Sequence, residues 1–254
     1  MGTTMIDNTN KPTIPECIEV RRTVIVPARG GSKRLPGKNK INFMGKPLVM
    51  HTIDVLVESG CFDTIIFTSD DESLEALITP EHVKNGVIFS RRPDELATDT
   101  AKALQVVEYY HEQDSEFHLN QIWLCLPTCP LRSVEDVRAA TSMLVNGIDS
   151  VVSVTNYEFP PTLSLVEEAG RLIENNPTMP FATGNTRSQD HDIGLRPNGA
   201  LYGSWKRSFE RNRNFFNGSV VPYFMPRSRS ADIDTELDLR IAEVLYNHMN
   251  PNNG

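Results

Sequence analysis

The stretch VIVPARGGSKRLPGKNK, residues Val24–Lys40, decides how the rest of the chain is read. Its first half is a short, continuous apolar run, the pattern of a strand buried on both faces of a parallel sheet. Its second half is a loop in which Gly30, Gly31 and Gly37 accompany Arg29, Lys33, Arg34, Lys38 and Lys40. A loop after the first parallel strand is a common phosphate site: glycines let backbone N–H groups approach closely, and cations neutralise the ligand's charge. The spacing is not a Walker P-loop, because one extra residue separates Gly31 from Gly37 and Asn39 stands where Ser or Thr is needed. It is not GxGxxG either. Each lysine taken singly reads as a solvated turn residue; strand position, glycines and charge together predict a phosphate-binding loop.

Working outward, Pro47 opens a helix that carries Leu48, Ile53, Leu56 and Val57 inward and stops at Gly60. The pattern predicts further strands over 64–69, 87–90, 121–126 and 149–155, with helices over about 72–84, 100–112 and 133–146. Strands separated by helical stretches imply right-handed βαβ units, hence a Rossmann-like, mostly parallel α/β sheet flanked by helices. Ligands in such sheets sit outside the carboxyl ends of the strands. Polar or special residues follow each strand there: Arg29-Gly30-Gly31-Ser32, Ser69-Asp70-Asp71, Arg91-Arg92-Pro93 and Pro127-Thr128.

From about 156 to 190 the alternation breaks into Pro-, Gly- and Asn-rich sequence, read as an inserted arm with a hairpin turning near Ala169-Gly170. Two strands return in NGALYGSW and GSVVPYFM, and an amphipathic helix closes the chain with Leu237, Ile241, Leu245 and Met249 on one face. Residues 1–21 read as a flexible leader and 22–254 as a single domain. The leader has no apolar core for a signal peptide, and Ile6 stands where a myristoylation signal wants Ser or Thr.

The chain has 254 residues, 39% of them hydrophobic, which supports a sizeable core. A net charge of −8 argues against a nucleic-acid binder, while a local basic loop still suits a small anion. No run is long and apolar enough to span a membrane. Cys17, Cys61, Cys125 and Cys129 match no zinc or CxxC redox spacing and read as reduced thiols, which suits a cytoplasmic location. Asp232 and Asp234, at i and i+2 on an extended segment, point to one side, where two hard carboxylates suit Mg²⁺. Asp234 reads equally well as the cap of the closing helix.

Five motifs in order, PARGGSKRLPGKN, RRPDELATDTA, LPTCPLR, RPNGALY and DIDTELDL, resemble the acylneuraminate cytidylyltransferases, the CMP-sialic acid synthetase family. The resemblance runs from about residue 23 to 245. It implies a nucleotide-diphospho-sugar transferase type of fold. The activity implied joins CTP to the anomeric hydroxyl of a nine-carbon 2-keto sugar acid, giving a CMP-sugar and pyrophosphate with Mg²⁺ or Mn²⁺. It places Arg29, Gly30, Ser32, Lys38 and Asn39 at the triphosphate and ribose, and Arg92 and Ala101 at the cytosine. Arg29, Lys38, Asp232 and Asp234 become the catalytic set, the two aspartates holding the metal. Arg187 and Arg196 become candidates for the sugar carboxylate, with Leu126, Thr128, Asn198, Tyr202, Phe215 and Phe216 on the sugar side. On sequence grounds alone, the Phe pair reads as core. The arm over 156–190 resembles a dimerisation element, so a homodimer is expected, with Arg187 acting across it.

Two departures bear on the sugar. Leu126 stands where the family has a glutamine that bonds the sugar, and Cys129 replaces a serine. YEFPPTLSL lacks a lysine that many sialic-acid enzymes carry. Legionaminic, pseudaminic or another nonulosonate therefore stand beside sialic acid. A nucleotidyltransferase for an eight-carbon keto-sugar acid and a non-catalytic nucleotide or sugar-acid sensor are the alternatives.

Overall fold

The computed structural model describes residues 20–113 and 120–251. The expected leader, apart from residues 20 and 21, and Cys17 lie outside the described residues. The apolar run forms strand β1 (Arg22–Pro27), and its alternation serves two layers at once. Val24 and Val26 pack into a cluster with Val49, Ile53, Phe67, Trp123 and Val137. Ile25 points the other way, into a cluster with Ile66, Val107, Tyr110, Ile122 and Phe209. A strand with apolar side chains on both pleats has to be covered on both faces, and helices supply the cover.

After β1 come a two-residue ladder, β2 (Asn42–Phe43) and β3 (Lys46–Pro47), and helix α1 (Leu48–Ser59). The helix stops at Gly60 in the left-handed conformation, as its sequence predicts. Strand β4 (Thr64–Ser69), helix α2 (Pro80–Lys84), β5 (Val87–Arg91), α3 (Ala103–Glu112), β6 (Gln121–Leu124), α4 (Val134–Met143) and β7 (Ser150–Asn156) follow. The excursion beyond β7 contains a hairpin, β8 (Leu165–Glu168) and β9 (Arg171–Glu174), and a short helix α5 (Pro180–Thr183). The hairpin turns at Ala169 and Gly170, both with positive φ. The chain re-enters the sheet as β10 (Leu195–Trp205), then forms α6 (Lys206–Asn212), β11 (Val220–Phe224) and α7 (Glu236–Met249).

The main sheet has the order β11-β7-β10-β6-β1-β4-β5. Its pairings are parallel except those of β10, which runs antiparallel to both β6 and β7. The carboxyl ends of β1, β4, β5, β6, β7 and β11 therefore share one edge with the amino end of β10. No helix among the described residues is long and apolar enough to cross a membrane.

Two expectations need correction, and one helix was not anticipated. The helix expected over 72–84 is two pieces, a 3-10 turn (Glu72–Leu77) and α2, because Pro80 cannot continue a helix and Thr79 caps a new one. Helix α6 carries its single large apolar side chain, Phe209, into the core, a signal too sparse to read as a periodic face. In α7, Leu237 and Ile241 are solvent-exposed, and Leu239 and Ala242 are buried instead, with Leu245, Tyr246 and Met249 alongside. Steps of four residues drift by about 40° each. The stripe from Leu237 to Met249 thus winds around the helix, and only part of it meets Phe43, Leu48, Leu131 and Ile233.

Strand β10 can lie against Trp123 only because residue 203 is glycine. A Cβ there would sit 2.5 Å from ring atoms of Trp123, which is fully buried. Gly203→Ala should destabilise the fold by about 1–3 kcal/mol through overpacking. A lower urea midpoint at unchanged slope is expected, and a wild-type midpoint would show that the Trp123 ring has room to move.

Candidate active site

The shared strand edge encloses a cavity of about 510 Å³, within the range of small-molecule sites. One wall is the loop after β1, contributing Arg29, Ser32, Lys33, Arg34, Lys38 and Asn39. The facing wall carries Asp99, Asp232 and Asp234. Arg92 and Ala101 lie on the segment after β5, and Ala103, Val106, Leu126, Pro127 and Thr128 line the rest.

Every cation of the loop meets a carboxylate from elsewhere in the chain. Arg29 and Lys33 reach Asp99 at 2.8 and 2.6 Å. Arg34 and Lys38 take one oxygen each of Asp234, at 2.6 and 2.8 Å. Lys40 pairs with Asp71 at 2.6 Å. The Lys33 hydrogen bond, with Arg29, holds Asp99 below the usual carboxylate range. Burial pushes Asp234 upward, but Lys38 and Arg34 outweigh it and bring it below its ordinary value. Asp232 moves the opposite way: desolvation, together with repulsion from Asp234, raises it, against a hydrogen bond from Thr128 and the charges of Lys38 and Arg196. Asp234 thus holds two direct cation partners, while Asp232 feels Lys38 and Arg196 at longer range.

Local structure explains why Asp234 is available. Helix α7 is capped by Thr235 and Asp238, each side chain accepting from the other's backbone N–H, so the capping role open to Asp234 is filled by its neighbour. Asp232 and Asp234 both face the cavity, while Ile233 between them is buried and donates its N–H to the Thr128 carbonyl at 2.8 Å.

Two cavity groups are buried with unmet hydrogen-bonding capacity. Asn39 donates from Nδ2 to the Arg29 carbonyl at 2.8 Å, but its Oδ1 meets no partner among the described residues. Arg92 donates from Nη2 to the Thr68 carbonyl at 3.0 Å, and among the described residues its Nε has none. Burial lowers the Arg92 pKa, with Asp70 opposing. Unmet buried polar atoms at a cavity wall are a physical reason to expect a polar ligand. Gly30 sits one layer back: its N–H donates to Asp70 at 2.8 Å, and a Cβ would meet Asp71 at 2.9 Å.

The sugar-side candidates are dispersed. Leu126 and Thr128 line the main cavity. Arg196 lines a second cavity of about 420 Å³, together with Arg227, which meets the first at Asp232. Tyr202 accepts from the Gly199 N–H at 2.9 Å, and its ring lies beside Phe215 and Phe216. Phe215 is in the core and Phe216 on the surface. Asn198 is buried and already engaged: it accepts from Ser153 Oγ at 2.6 Å and donates to Ser230 Oγ at 2.9 Å. Arg187 is on the arm, solvent-exposed beside Gln189 and Asp190, and lines neither cavity. Sequence reading passed over Asp99, although it lies between Arg92 and Ala101 in one motif, and Arg227, which lies in no motif.

Residues 23–161 match the family model described as cytidylyltransferase. The chain is 35% identical over 220 residues to an N-acylneuraminate cytidylyltransferase of Streptococcus agalactiae serotype V, covering 84% of this chain and 50% of that protein. It is 30% identical over 231 residues to a pseudaminic acid cytidylyltransferase of Campylobacter jejuni serotype O:23/36, covering 89% and 97%. It is 29% identical to a CMP-N,N'-diacetyllegionaminic acid synthase of Legionella pneumophila, covering 89% and 96%. The chain spans about half the length of the streptococcal relative and nearly all of the other two. Among solved structures it resembles a CMP:2-keto-3-deoxy-manno-octonic acid synthetase complexed with CTP, with a TM-score of 0.62 at 16% identity, covering 90% of this chain and 99% of that one. At that identity the likeness is one of fold.

The basic wall itself is open to test with inorganic tripolyphosphate. Lys38→Ala should weaken its binding roughly ten- to hundredfold, the worth of one charge-assisted hydrogen bond, as read by calorimetry. An unchanged affinity would remove Lys38 from the anion site.

Proposed function

The chain belongs to the cytidylyltransferase family, and we propose that it joins CTP to a nine-carbon 2-keto sugar acid, releasing pyrophosphate. The observation that carries this reading is the single cavity in which a basic wall faces Asp232 and Asp234. A triphosphate entering it exchanges carboxylate partners for phosphate oxygens at Arg29, Lys33 and Lys38, with Ser32 and Asn39 beside them and Gly30, its N–H held by Asp70, shaping the loop behind. Arg29 and Lys38 then stabilise the charge that grows as the bond between the α- and β-phosphates breaks. Arg92, buried and under-satisfied, and Ala101 border the base. The anomeric hydroxyl of the sugar acid attacks the α-phosphorus, its proton leaving toward the Asp232–Asp234 pair.

The donor set fits a divalent cation. Two hard carboxylates, Asp232 and Asp234, line one cavity. Among the described residues no group of three or more His, Cys, Asp or Glu could hold a metal unaided. Mg²⁺, or Mn²⁺ in its place, would therefore take Asp232 and Asp234 and complete its shell with phosphate and water. Bound there, the ion supplies charge neutralisation for the transferred phosphoryl group.

Arg196 suits the sugar carboxylate, since a guanidinium can bind it as a fork. Leu126 and Thr128 border that side, and Tyr202 and Phe216 are the nearest aromatic candidates. The relatives that match over nearly their whole length are named for pseudaminic and diacetyllegionaminic acids, and Leu126 offers no hydrogen bond to a sugar hydroxyl. A substrate hydroxyl left unpaired there would be disfavoured. The arm exposes Tyr157, Phe159, Leu165, Leu172, Ile173, Met179 and Phe181, an apolar surface suited to a second copy of the chain. A homodimer would cover it and bring Arg187 to the partner's sugar side. The three described cysteines are free thiols, in keeping with a reducing cytoplasm.

Pyrophosphate release with CTP and Mg²⁺ should depend on one nine-carbon acid among N-acetylneuraminate, legionaminate, pseudaminate and the deaminated nonulosonate. Release with the eight-carbon keto-acid alone would move the assignment to that class, and CTP binding without release would favour a sensor. Light scattering should give twice the 28.5 kDa chain mass. A monomeric mass would remove the arm's proposed role.

A further inference from the structure

The segment that presents Asp232 is held by three ties close to that residue, besides the exposed Arg227–Glu158 ion pair, and one of the three joins residues outside every motif. Upstream, a 3-10 turn (Arg227–Arg229) follows β11. Arg229 leaves that turn to reach Asp136 at the start of α4, donating from Nε to Oδ2 at 2.9 Å and from Nη2 to Oδ1 at 2.8 Å. The same carboxylate accepts from Tyr223 Oη at 2.8 Å and from the Ser133 N–H at 2.9 Å. Asp136 is 1% exposed, so it requires partners of this kind to remain ionised inside the protein. Ser230, next in the chain, accepts from Asn198 and donates to the Pro226 carbonyl, both at 2.9 Å. Ile233 is tied to the Thr128 carbonyl. Only Ala231 and Asp232 bridge the gap between these ties.

We infer that the Arg229–Asp136 fork is a positioning device that sets where Asp232 stands in the cavity. The turn's own backbone bonds, Arg229 N to the Pro226 carbonyl and Ser230 N to the Arg227 carbonyl, are local and tie it to no other layer. The bidentate fork registers it against α4, part of the helix layer packed on the sheet. A guanidinium has the planar geometry for two parallel bonds to one carboxylate, and an ammonium does not. Tyr223 contacts the same carboxylate from β11, ahead of the turn. It shares the fork's contribution to stability without holding the turn. The role assigned to Arg229 rests on the proposed cation site at Asp232 and Asp234.

The test uses the full chain with Mn²⁺ as the probe, and compares Arg229→Lys with Tyr223→Phe. Mn²⁺ uptake in the presence of CTP is read by electron paramagnetic resonance, alongside kcat, KM for CTP and Tm. Arg229→Lys keeps the positive charge beside Asp136 and loses the fork. It should weaken Mn²⁺ uptake and lower kcat, each by about tenfold, the usual size of an effect transmitted through a ligand's supporting contacts. KM for CTP should stay unchanged. Tyr223→Phe should lower Tm while leaving Mn²⁺ uptake and kcat as in the wild type. Wild-type Mn²⁺ uptake by Arg229→Lys overturns the inference, as does a Tyr223→Phe variant that loses uptake in step with Tm. A wild-type chain that takes up no Mn²⁺ with CTP overturns the cation site itself and is distinct from both.

Discussion

Positive charge packed into one short loop must be neutralised, and the rest of the site is organised by how the fold does so. Arg29, Lys33, Arg34, Lys38 and Lys40 would repel one another if left alone. Asp71 from the end of β4, Asp99 from beyond β5 and Asp234 from before α7 converge on them. The exposed pairs among these add little to stability one by one, and Lys38–Asp234 is the more shielded one. Their combined effect is positional, since they tie the first loop of the domain to a residue two hundred positions later. In the proposed reaction, the phosphates of CTP would take over these carboxylates' places. A local field of this kind is compatible with a chain whose net charge is −8, because field strength depends on where charges lie rather than on their sum.

The reversed strand completes the arrangement. Had β10 run with its neighbours, Arg196 would lie at the far edge of the sheet. Running antiparallel between β6 and β7, it starts at the site edge and delivers Arg196 beside Asp232. The register shifts between Pro197 and Tyr202, where Gly199 has a φ of 77°. A side chain at residue 199 would press on Leu126 at 2.9 Å. The bulge thus lets β10 approach the Leu126–Leu131 loop closely, and the Gly199 carbonyl accepts from the Leu126 N–H at 3.1 Å.

Much of this could be read from residues in a row. Short, continuous apolar runs marked β1 and β4, Gly60 marked the end of α1, and Ala169-Gly170 marked the hairpin turn. These signals are local: a buried strand, a helix stop and a tight turn each constrain the few residues that form them. The basic loop and the Asp232–Asp234 pair were legible for a similar reason, since charge and spacing are visible without a fold. Asp99 escaped notice because an aspartate in a polar loop has no local mark of function until Arg29 and Lys33 are seen beside it. The inward face of α7 was misjudged because Leu237 and Ile241 are as apolar as Leu239, and only the narrow patch it docks on selects between them.

The sequence by itself determined the layered α/β sheet, the concentration of positive charge and glycine in the first loop and the family, because periodicity, composition and motif order are properties of the chain alone. Tertiary structure decided which carboxylate neutralises which cation, that Thr235 rather than Asp234 caps α7, and that Asn198 and Phe215 sit inside the protein while Arg187 stands away from both cavities. These outcomes depend on distances between residues far apart in the chain. Such distances arise only when strand order, the reversal of β10 and the docking of α7 are set together by burial of two sheet faces.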